Sequence, residues 1–105
     1  MKSWKKAKIT VVKKLVMEDL VSEYVHEEKK AMGFGVCEAF KLGQEFILEK
    51  PNIPEGFCSW AWADIFKDII AIMGGADFHW SNKDGVTITC CTDGFRPVIF
   101  KIERI

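Results

Sequence analysis

One long apolar stretch with a turn signal at each end most constrains what this chain can fold into. It begins after Pro54, has helical apolar spacing from Ser59 onward, and stops at Gly74-Gly75. Glycine after an apolar run is a typical helix C-terminus, and proline shortly before one is typical of its start. The sequence therefore predicts a central helix, and it places Cys58 where that helix begins.

The central helix is apolar on nearly every side. We expect its core stripe to consist of Trp62, Phe66, Ile69, Ile70 and Met73. The clearly polar positions are Asp64, Lys67 and Asp68. Such a helix is expected to be buried by its own sheet on one side and by another surface elsewhere. We therefore predict self-association, through this helix or through an edge strand.

Alternating apolar and polar residues predict strands on both sides of the helix. Residues 5–14 and 44–49 precede it, and residues 86–92 and 96–103 follow it. A short amphipathic helix is expected between the first two strands, with apolar residues at helical spacing: Met17, Leu20, Val21 and Tyr24. The order strand, helix, strand, helix, hairpin predicts a single α+β domain over residues 1–105, with helices packed on a sheet of about four strands.

The hairpin carries two further local predictions. Asp93-Gly94 separates the last two strands, and Asp-Gly is a favoured pair for a two-residue hairpin turn. Pro97 cannot donate to a strand ladder, so the last strand is expected to start at a sheet edge.

Charge and hydropathy exclude several classes of protein. Fifteen Lys and Arg residues balance fifteen Asp and Glu residues, whereas nucleic-acid binding usually needs a basic excess on one face. No apolar run reaches the roughly 18 residues of a membrane span, and the N-terminus lacks the continuous apolar segment of a signal peptide. We therefore expect no nucleic-acid or membrane partner and a cytoplasmic location.

In a reducing compartment the four cysteines are expected to be free thiols, metal ligands or redox groups rather than structural disulfides. They are Cys37, Cys58, Cys90 and Cys91. Cys58 is the most suggestive, because a helix N-terminus acidifies a thiol and makes it a better nucleophile or metal ligand. The competing interpretation is that Cys58 is a small buried residue without reactivity.

A metal site is one way to use these thiols. Cys37, Cys58 and the Cys90-Cys91 pair each lie at an element edge or on a strand beside the expected core. Three thiolates fit zinc or iron once a fourth ligand joins them. The candidates for that ligand are Asp77, His79 and Asp93. No C-x-x-C pair is present, so the recognisable zinc spacing is missing.

Strand alternation separates the two adjacent cysteines. Val86, Ile88 and Cys90 share one face of their strand, and Cys91 shares the opposite face with the threonines. If the apolar face is the core, Cys90 packs inside and Cys91 is the more accessible thiol. A bulge before the turn reverses that assignment.

Several motifs together resemble a family of short prokaryotic proteins of about this length. They are Pro54-Glu55-Gly56-Phe57-Cys58-Ser59-Trp60-Ala61-Trp62-Ala63-Asp64-Ile65, Cys37, Gly43-Gln44-Glu45-Phe46 and Cys91-Thr92-Asp93-Gly94-Phe95-Arg96-Pro97-Val98. The resemblance implies that Cys37, Cys58 and Cys91 belong to the family pattern and that Cys90 is incidental. It brings no established activity with it, and this chain differs by a longer charged segment at residues 27–35.

The sequence thus favours a small binding module with a thiol-lined site built from Cys37, Cys58 and Cys91, occupied by zinc or iron. The first alternative is a thiol-dependent enzyme or redox protein, with Cys58 as nucleophile and His79 or an aspartate as base. A vicinal Cys90-Cys91 disulfide would be strained, which disfavours the redox version. The second alternative is a structural or interaction protein whose cysteines only pack.

Overall fold

A computed structural model describes residues 3–105, which form three α-helices and one four-stranded antiparallel sheet. In chain order the elements are β1 (Ala7–Lys14), α1 (Glu18–Tyr24), α2 (Glu27–Ala31), β2 (Glu45–Leu48), α3 (Ser59–Met73), β3 (Val86–Cys90) and β4 (Val98–Arg104). The α+β class is confirmed. The short helix α2 was not predicted. No helix in this described range is long and apolar enough to cross a membrane.

The strands lie in the order β2-β1-β4-β3, so β4 is an inner strand paired with both β1 and β3. The prediction that the last strand starts at an edge is therefore wrong. Pro97 immediately precedes β4 instead of lying in it. Because β4 begins one residue later, the missing N–H of Pro97 removes no hydrogen bond between strands.

The core lies between α3 and one face of the sheet. Ile9 and Val11 of β1, with Phe100 and Ile102 of β4, are at most 1% exposed. The buried residues of α3 are Ala61, Ile65, Ile69, Ile72 and Met73.

The predicted stripe of α3 is only partly correct. Ile69 and Met73 are buried as expected, but Phe66 is 40% exposed and Trp62 is half-buried. The buried row runs through Ala61 and Ile65 because residues four apart share a helix face. The large aromatic residues consequently lie at the side of the helix, outside the packed centre.

The predicted two-residue turn between the last two strands is also wrong. β3 ends at Cys90 and β4 begins at Val98, so seven residues connect them. Asp93 organises this connection, because its Oδ1 accepts hydrogen bonds from the N–H groups of Phe95 and Arg96 at 2.9 and 3.0 Å. Gly94 does not adopt the positive φ that the predicted turn requires.

The two faces of β3 are the reverse of those predicted from the alternation. Thr87 is 5% exposed, whereas Ile88 is 60% exposed. Thr87 lies opposite Ile102 of the core, and opposed residues in an antiparallel pair share a face. Cys91, on the same face as Thr87, is buried, and Cys90 is exposed. The prediction that Cys91 is the more accessible thiol is therefore wrong.

The helices α1 and α2 form an arm with little contact to the sheet. The radius of gyration is 15.5 Å, above the roughly 13 Å expected for a compact chain of this length. The arm returns to the body through Phe34, whose ring packs edge-on against Phe95 at a centroid distance of 6.1 Å. This return delivers Cys37 to the end of the sheet where α3 begins.

Arg104 ties the opposite, C-terminal end of α3 to the sheet. Its Nη1 donates hydrogen bonds to the carbonyls of Ile72 and Ala76, both at 2.9 Å. Its Nη2 donates to Asp77 Oδ1, which also accepts the backbone N–H of Gly85 at 2.7 Å. Gly85 has a φ of +70°, and a Cβ there would come within 3.0 Å of the Arg104 side chain. Glycine is therefore required where β3 starts.

We expect this cluster to make stability depend on acid pH. The hydrogen bond from Arg104 lowers the pKa of the Asp77 carboxyl, against desolvation and with help from the Gly85 N–H. A lowered folded-state pKa stabilises the protein above the ordinary aspartate value of about 3.9, and the stabilisation is lost as the pH falls through the folded value. In urea denaturation, Asp77→Asn should be less stable than wild type at neutral pH and should approach it in acid.

The control for this prediction is Asp84→Asn, which removes an exposed carboxylate from the same loop. We expect its difference from wild type to be small at every pH. An Asp77→Asn deficit that persists unchanged in acid would contradict the proposed role of the ionised carboxylate.

Candidate functional site

A cavity of about 430 Å³ opens where the N-terminus of α3 meets the connection between β3 and β4. Its walls are Cys37, Phe40, Cys58, Trp60, Ala61, Cys91, Thr92, Asp93, Gly94, Arg96 and Val98. The three cysteines singled out by the sequence therefore reach one cavity from three separate parts of the chain. The volume lies within the range of small-ligand pockets.

Cys58 contributes the thiol at the helix start. It is the N-cap residue of α3, with an extended backbone (φ −63°, ψ 123°), and it makes no side-chain capping hydrogen bond. The first-turn amides of a helix have no intrahelical acceptor. The side chain of the N-cap residue Cys58 accepts a hydrogen bond from none of these amides. The cavity is therefore bordered by Cys58 and by the partially positive end of a fifteen-residue helix.

Cys91 contributes the deepest thiol. It is 7% exposed, and its Sγ accepts a hydrogen bond from the N–H of Val98 at 3.3 Å. Cys37 and Cys58 are partly exposed. Cys91 therefore forms the buried floor of the cavity, held by the hydrogen bond from Val98. Cys37 and Cys58 form partly exposed walls nearer the opening.

Aromatic rings form the apolar side of the site. Phe40 lines the cavity and is 3% exposed. Its ring packs against Phe57 at 4.9 Å, Phe100 at 5.1 Å and Phe46 at 6.2 Å. Trp60 lines the same cavity but is 70% exposed. Phe40 is thus a buried wall packed among other rings, whereas Trp60 is a wall that is largely exposed to solvent.

The polar wall is the connection between β3 and β4, which Asp64 holds against α3. The Oδ2 atom of Asp64 accepts hydrogen bonds from the backbone N–H and the hydroxyl of Thr92, at 2.8 and 2.9 Å. A carboxylate that accepts two hydrogen bonds from one residue fixes that residue's backbone and side chain together. Asp64 is therefore a positioning residue for the wall.

Arg96 is the positive group of the cavity. Its guanidinium lies over the Phe34 ring, 4.5 Å from the centroid, and its Nε is 3.6 Å from Asp93 Oδ2. That separation is too long for a hydrogen bond, and the buried Nε has no hydrogen-bond partner within residues 3–105. Phe34 and Asp93 thus hold the guanidinium in place without using all of its donors.

The cysteines share the cavity but do not form a metal cage. Among residues 3–105, no group of three or more His, Cys, Asp or Glu side chains has the arrangement needed to hold a metal ion. Asp93, the proposed fourth ligand, already accepts two backbone hydrogen bonds. The predicted zinc or iron site therefore gains no support from this geometry. Its two other candidate ligands, Asp77 and His79, follow the far end of α3.

His79 is not brought to Cys58. It follows the C-terminus of α3, whereas Cys58 precedes the N-terminus, and a helix of this length is roughly 22 Å long. The His79 ring packs against Trp80 at 4.9 Å, and the cavity lining does not include it. The structure therefore gives no support to the pairing of Cys58 with His79 as nucleophile and base.

Arg96 is the main feature of the site that the sequence did not indicate. It lies beside the predicted turn in the Phe95-Arg96-Pro97 run, where an arginine is ordinarily a solvated surface residue. Its role depends on Phe34, which is 62 positions earlier in the chain. No local pattern predicts a contact over that separation.

Comparisons with known proteins found no match for this chain among protein-family models, curated proteins or solved structures. The resemblance to short prokaryotic proteins stays a prediction.

Proposed function

We propose that this protein is a small binding module whose cysteine-lined cavity takes up a small organic ligand with an apolar body and one anionic group. The observation that carries the proposal is the meeting of a positive arginine and an uncapped helix N-terminus at one apolar cavity. The apolar walls, including Phe40, Ala61 and Val98, suit the body of the ligand.

The anionic group follows from the electrostatics of the cavity. A helix N-terminus carries partial positive charge and unpaired N–H donors, which favour carboxylates and phosphates. Arg96 adds a full charge with forked donors that match the same groups. Asp93 neutralises part of this charge from the Nε side, which leaves the Nη donors of the guanidinium for a ligand. A carboxylate or phosphate therefore fits better than a cation.

An organic ligand is favoured over a metal ion because the donor atoms around the cavity do not converge. Cys37 and Cys58 are then soft, polarizable walls for an apolar group. Elemental analysis of untagged protein purified without chelator is the direct comparison. One zinc or iron per chain, released when Cys58 is replaced by serine, would favour the metal interpretation over this one.

A thiol-dependent reaction at Cys58 is the second candidate, and the position of that thiol at a helix start within a cavity favours it. The nearby carboxylates are already engaged, Asp64 by Thr92 and Asp93 by backbone N–H groups. Such a reaction would therefore proceed without a side-chain base from these groups. Hydrolysis of an activated aryl ester that disappears in Cys58→Ser would support it.

Arg96→Met is expected to remove the preference for anionic ligands. The probes are arylcarboxylates, beginning with benzoate and indole-3-acetate, and their uncharged amides. Wild-type protein should bind the acids at least about tenfold more tightly, because a hydrogen bond to a charged group contributes roughly 1.5–3 kcal/mol. In ¹H–¹⁵N NMR titrations the shifts should concentrate at residues 91–97 and the first turn of α3.

The matched control is Lys101→Met, which removes a cation from β4 on the face of the sheet opposite α3. It should retain the preference for acids. Equal affinities for acids and amides in the wild-type protein, or shifts that fall outside the cavity, would overturn the proposal.

A further inference from the structure

The strand β3 forms an open edge of the sheet. It pairs with β4 on one side and ends the strand order. The N–H of Arg104 donates to the carbonyl of Gly85 at 2.8 Å, and the N–H of Cys91 donates to the carbonyl of Val98 at 3.1 Å. Since backbone groups alternate in direction along a strand, the odd-numbered residues of β3 face β4. The N–H and C=O groups of residues 86, 88 and 90 therefore face outward.

The strand itself carries neither charged residues nor proline, the two residue types that often keep an edge strand from pairing with another chain. Residues 86–91 read Val-Thr-Ile-Thr-Cys-Cys, without a charge or a proline. At the other edge, the shorter β2 carries Glu45 and is followed by Glu49, Lys50 and Pro51. Charged and proline residues are what protect natural edge strands. Only β2 has these residues, so β3 is the edge at which a further strand can pair more readily.

We propose that β3 pairs antiparallel with β3 of a second copy of this chain, about a two-fold axis at Ile88, and joins the two sheets into one of eight strands. In this register Ile88 lies opposite itself, Val86 opposite Cys90, and Thr87 opposite Thr89. Every pair is uncharged, and β-branched and Thr–Thr pairs stabilise antiparallel strands. The outward backbone groups of residues 86, 88 and 90 are all satisfied by the same groups of the other copy.

An aromatic loop beside the strand extends this surface. Trp80 is 70% exposed and stacks on Phe78 at a centroid distance of 5.0 Å. A cleft of about 300 Å³ lies between Trp80 and the edge residues Thr87 and Ile88. Stable interfaces bury at least roughly 1,200 Å², more than five paired residues provide alone. Because the two-fold axis brings both aromatic loops to the interface, the loops add apolar contact on each side.

The register explains why a second copy fits better than an unrelated peptide. A strand from another protein would need side chains that complement those of β3. In this register β3 is complementary to itself at every position from 86 to 90. The exposed Ile88 is also covered by an identical residue. An isoleucine on a free edge would otherwise remain an aggregation site.

The test uses the full chain in analytical ultracentrifugation. Wild-type protein is expected to be a dimer, and Ile88→Lys should raise its dissociation constant at least about tenfold, because the two-fold axis places two like charges directly opposite each other. The control is Ile47→Lys on β2, where the residue is 52% exposed on the protected edge. It should remain a dimer, and far-UV circular dichroism should show both variants folded.

Cross-linking tests the register itself. Under mild oxidation Ile88→Cys, made in a Cys90→Ser background, should give a disulfide-linked dimer. Residues opposed in a hydrogen-bonded antiparallel pair are about 5.5 Å apart at Cα, within disulfide range. Ile47→Cys in the same background should not cross-link. A wild-type chain that stays monomeric at millimolar concentration, or a dimer unaffected by Ile88→Lys, would overturn the proposal and leave the edge to a foreign strand.

Discussion

Replacing Phe40 by alanine is expected to lower the free energy of unfolding by about 3–5 kcal/mol. Phe40 is 3% exposed, and three other rings pack around it: Phe46, Phe57 and Phe100. The substitution removes apolar surface from the core and leaves a cavity that packed neighbours refill only in part. Urea denaturation at unchanged m-value measures the loss.

Phe66→Ala is the matched control, because it removes the same side chain from a site that is 40% exposed. The Phe66 ring packs against Trp62 at 5.7 Å at the side of α3. We expect a loss of about 1 kcal/mol there, since much of that surface already meets water. Equal losses in the two variants would show that Phe40 does not organise the core.

The same substitution connects stability to the site, because Phe40 is also a wall of the cavity. The conservative variant Phe40→Leu should restore most of the stability while changing the shape of the wall. An arylcarboxylate that binds Phe40→Leu more weakly than wild type, in fully folded protein, would separate the two roles of the ring.

Local sequence patterns were sufficient to predict the central helix and the four strands. The helix α3 was placed correctly because Pro54 and Gly74-Gly75 enclose a periodic apolar run. The strands β1, β2, β3 and β4 followed from alternation. Cys58 was correctly placed at the helix start, since that position depends only on nearby residues.

The faces of β3 were not predictable from the same pattern. Alternation of Thr with Val or Ile shows which residues share a face, but the more apolar set, Val86, Ile88 and Cys90, is not the set that faces the core. The neighbour β4 decides which face is buried, because Ile102 lies opposite Thr87 in the core. An edge strand with one uncovered face tolerates an exposed Ile88, so the more apolar set lies outside.

Contacts between distant segments account for the rest of the site. Cys37 reaches the cavity because the arm of α1 and α2 returns to the body through Phe34. Arg96 is held by that ring and by Asp93. These contacts join parts of the chain whose local patterns carry no information about one another. The sequence therefore indicated the thiols of the cavity but not its charge.

Thiol labelling is expected to distinguish Cys90 from Cys91 by at least about a hundredfold in rate. Cys90 is exposed, whereas Cys91 is 7% exposed and its sulfur accepts a hydrogen bond from Val98. A reagent reaches Cys91 only when this region opens, and an opening free energy of about 3 kcal/mol slows the reaction by roughly that factor. Cys37 and Cys58, at the cavity opening, should react at intermediate rates.

Alkylation with iodoacetamide, followed by fragment mass spectrometry, assigns each rate. The variants Cys90→Ser and Cys91→Ser allow the labelling rates of the two adjacent thiols to be measured separately. Labelling in denaturant gives the intrinsic reactivity of each thiol, because none of them is buried in the unfolded chain. A bound arylcarboxylate should slow Cys37 and Cys58 and leave Cys90 unchanged, since only the first two line the cavity. If Cys91 reacts as fast as Cys90 in the folded protein, β3 presents the opposite face to the core and the floor of the cavity contains a different sulfur.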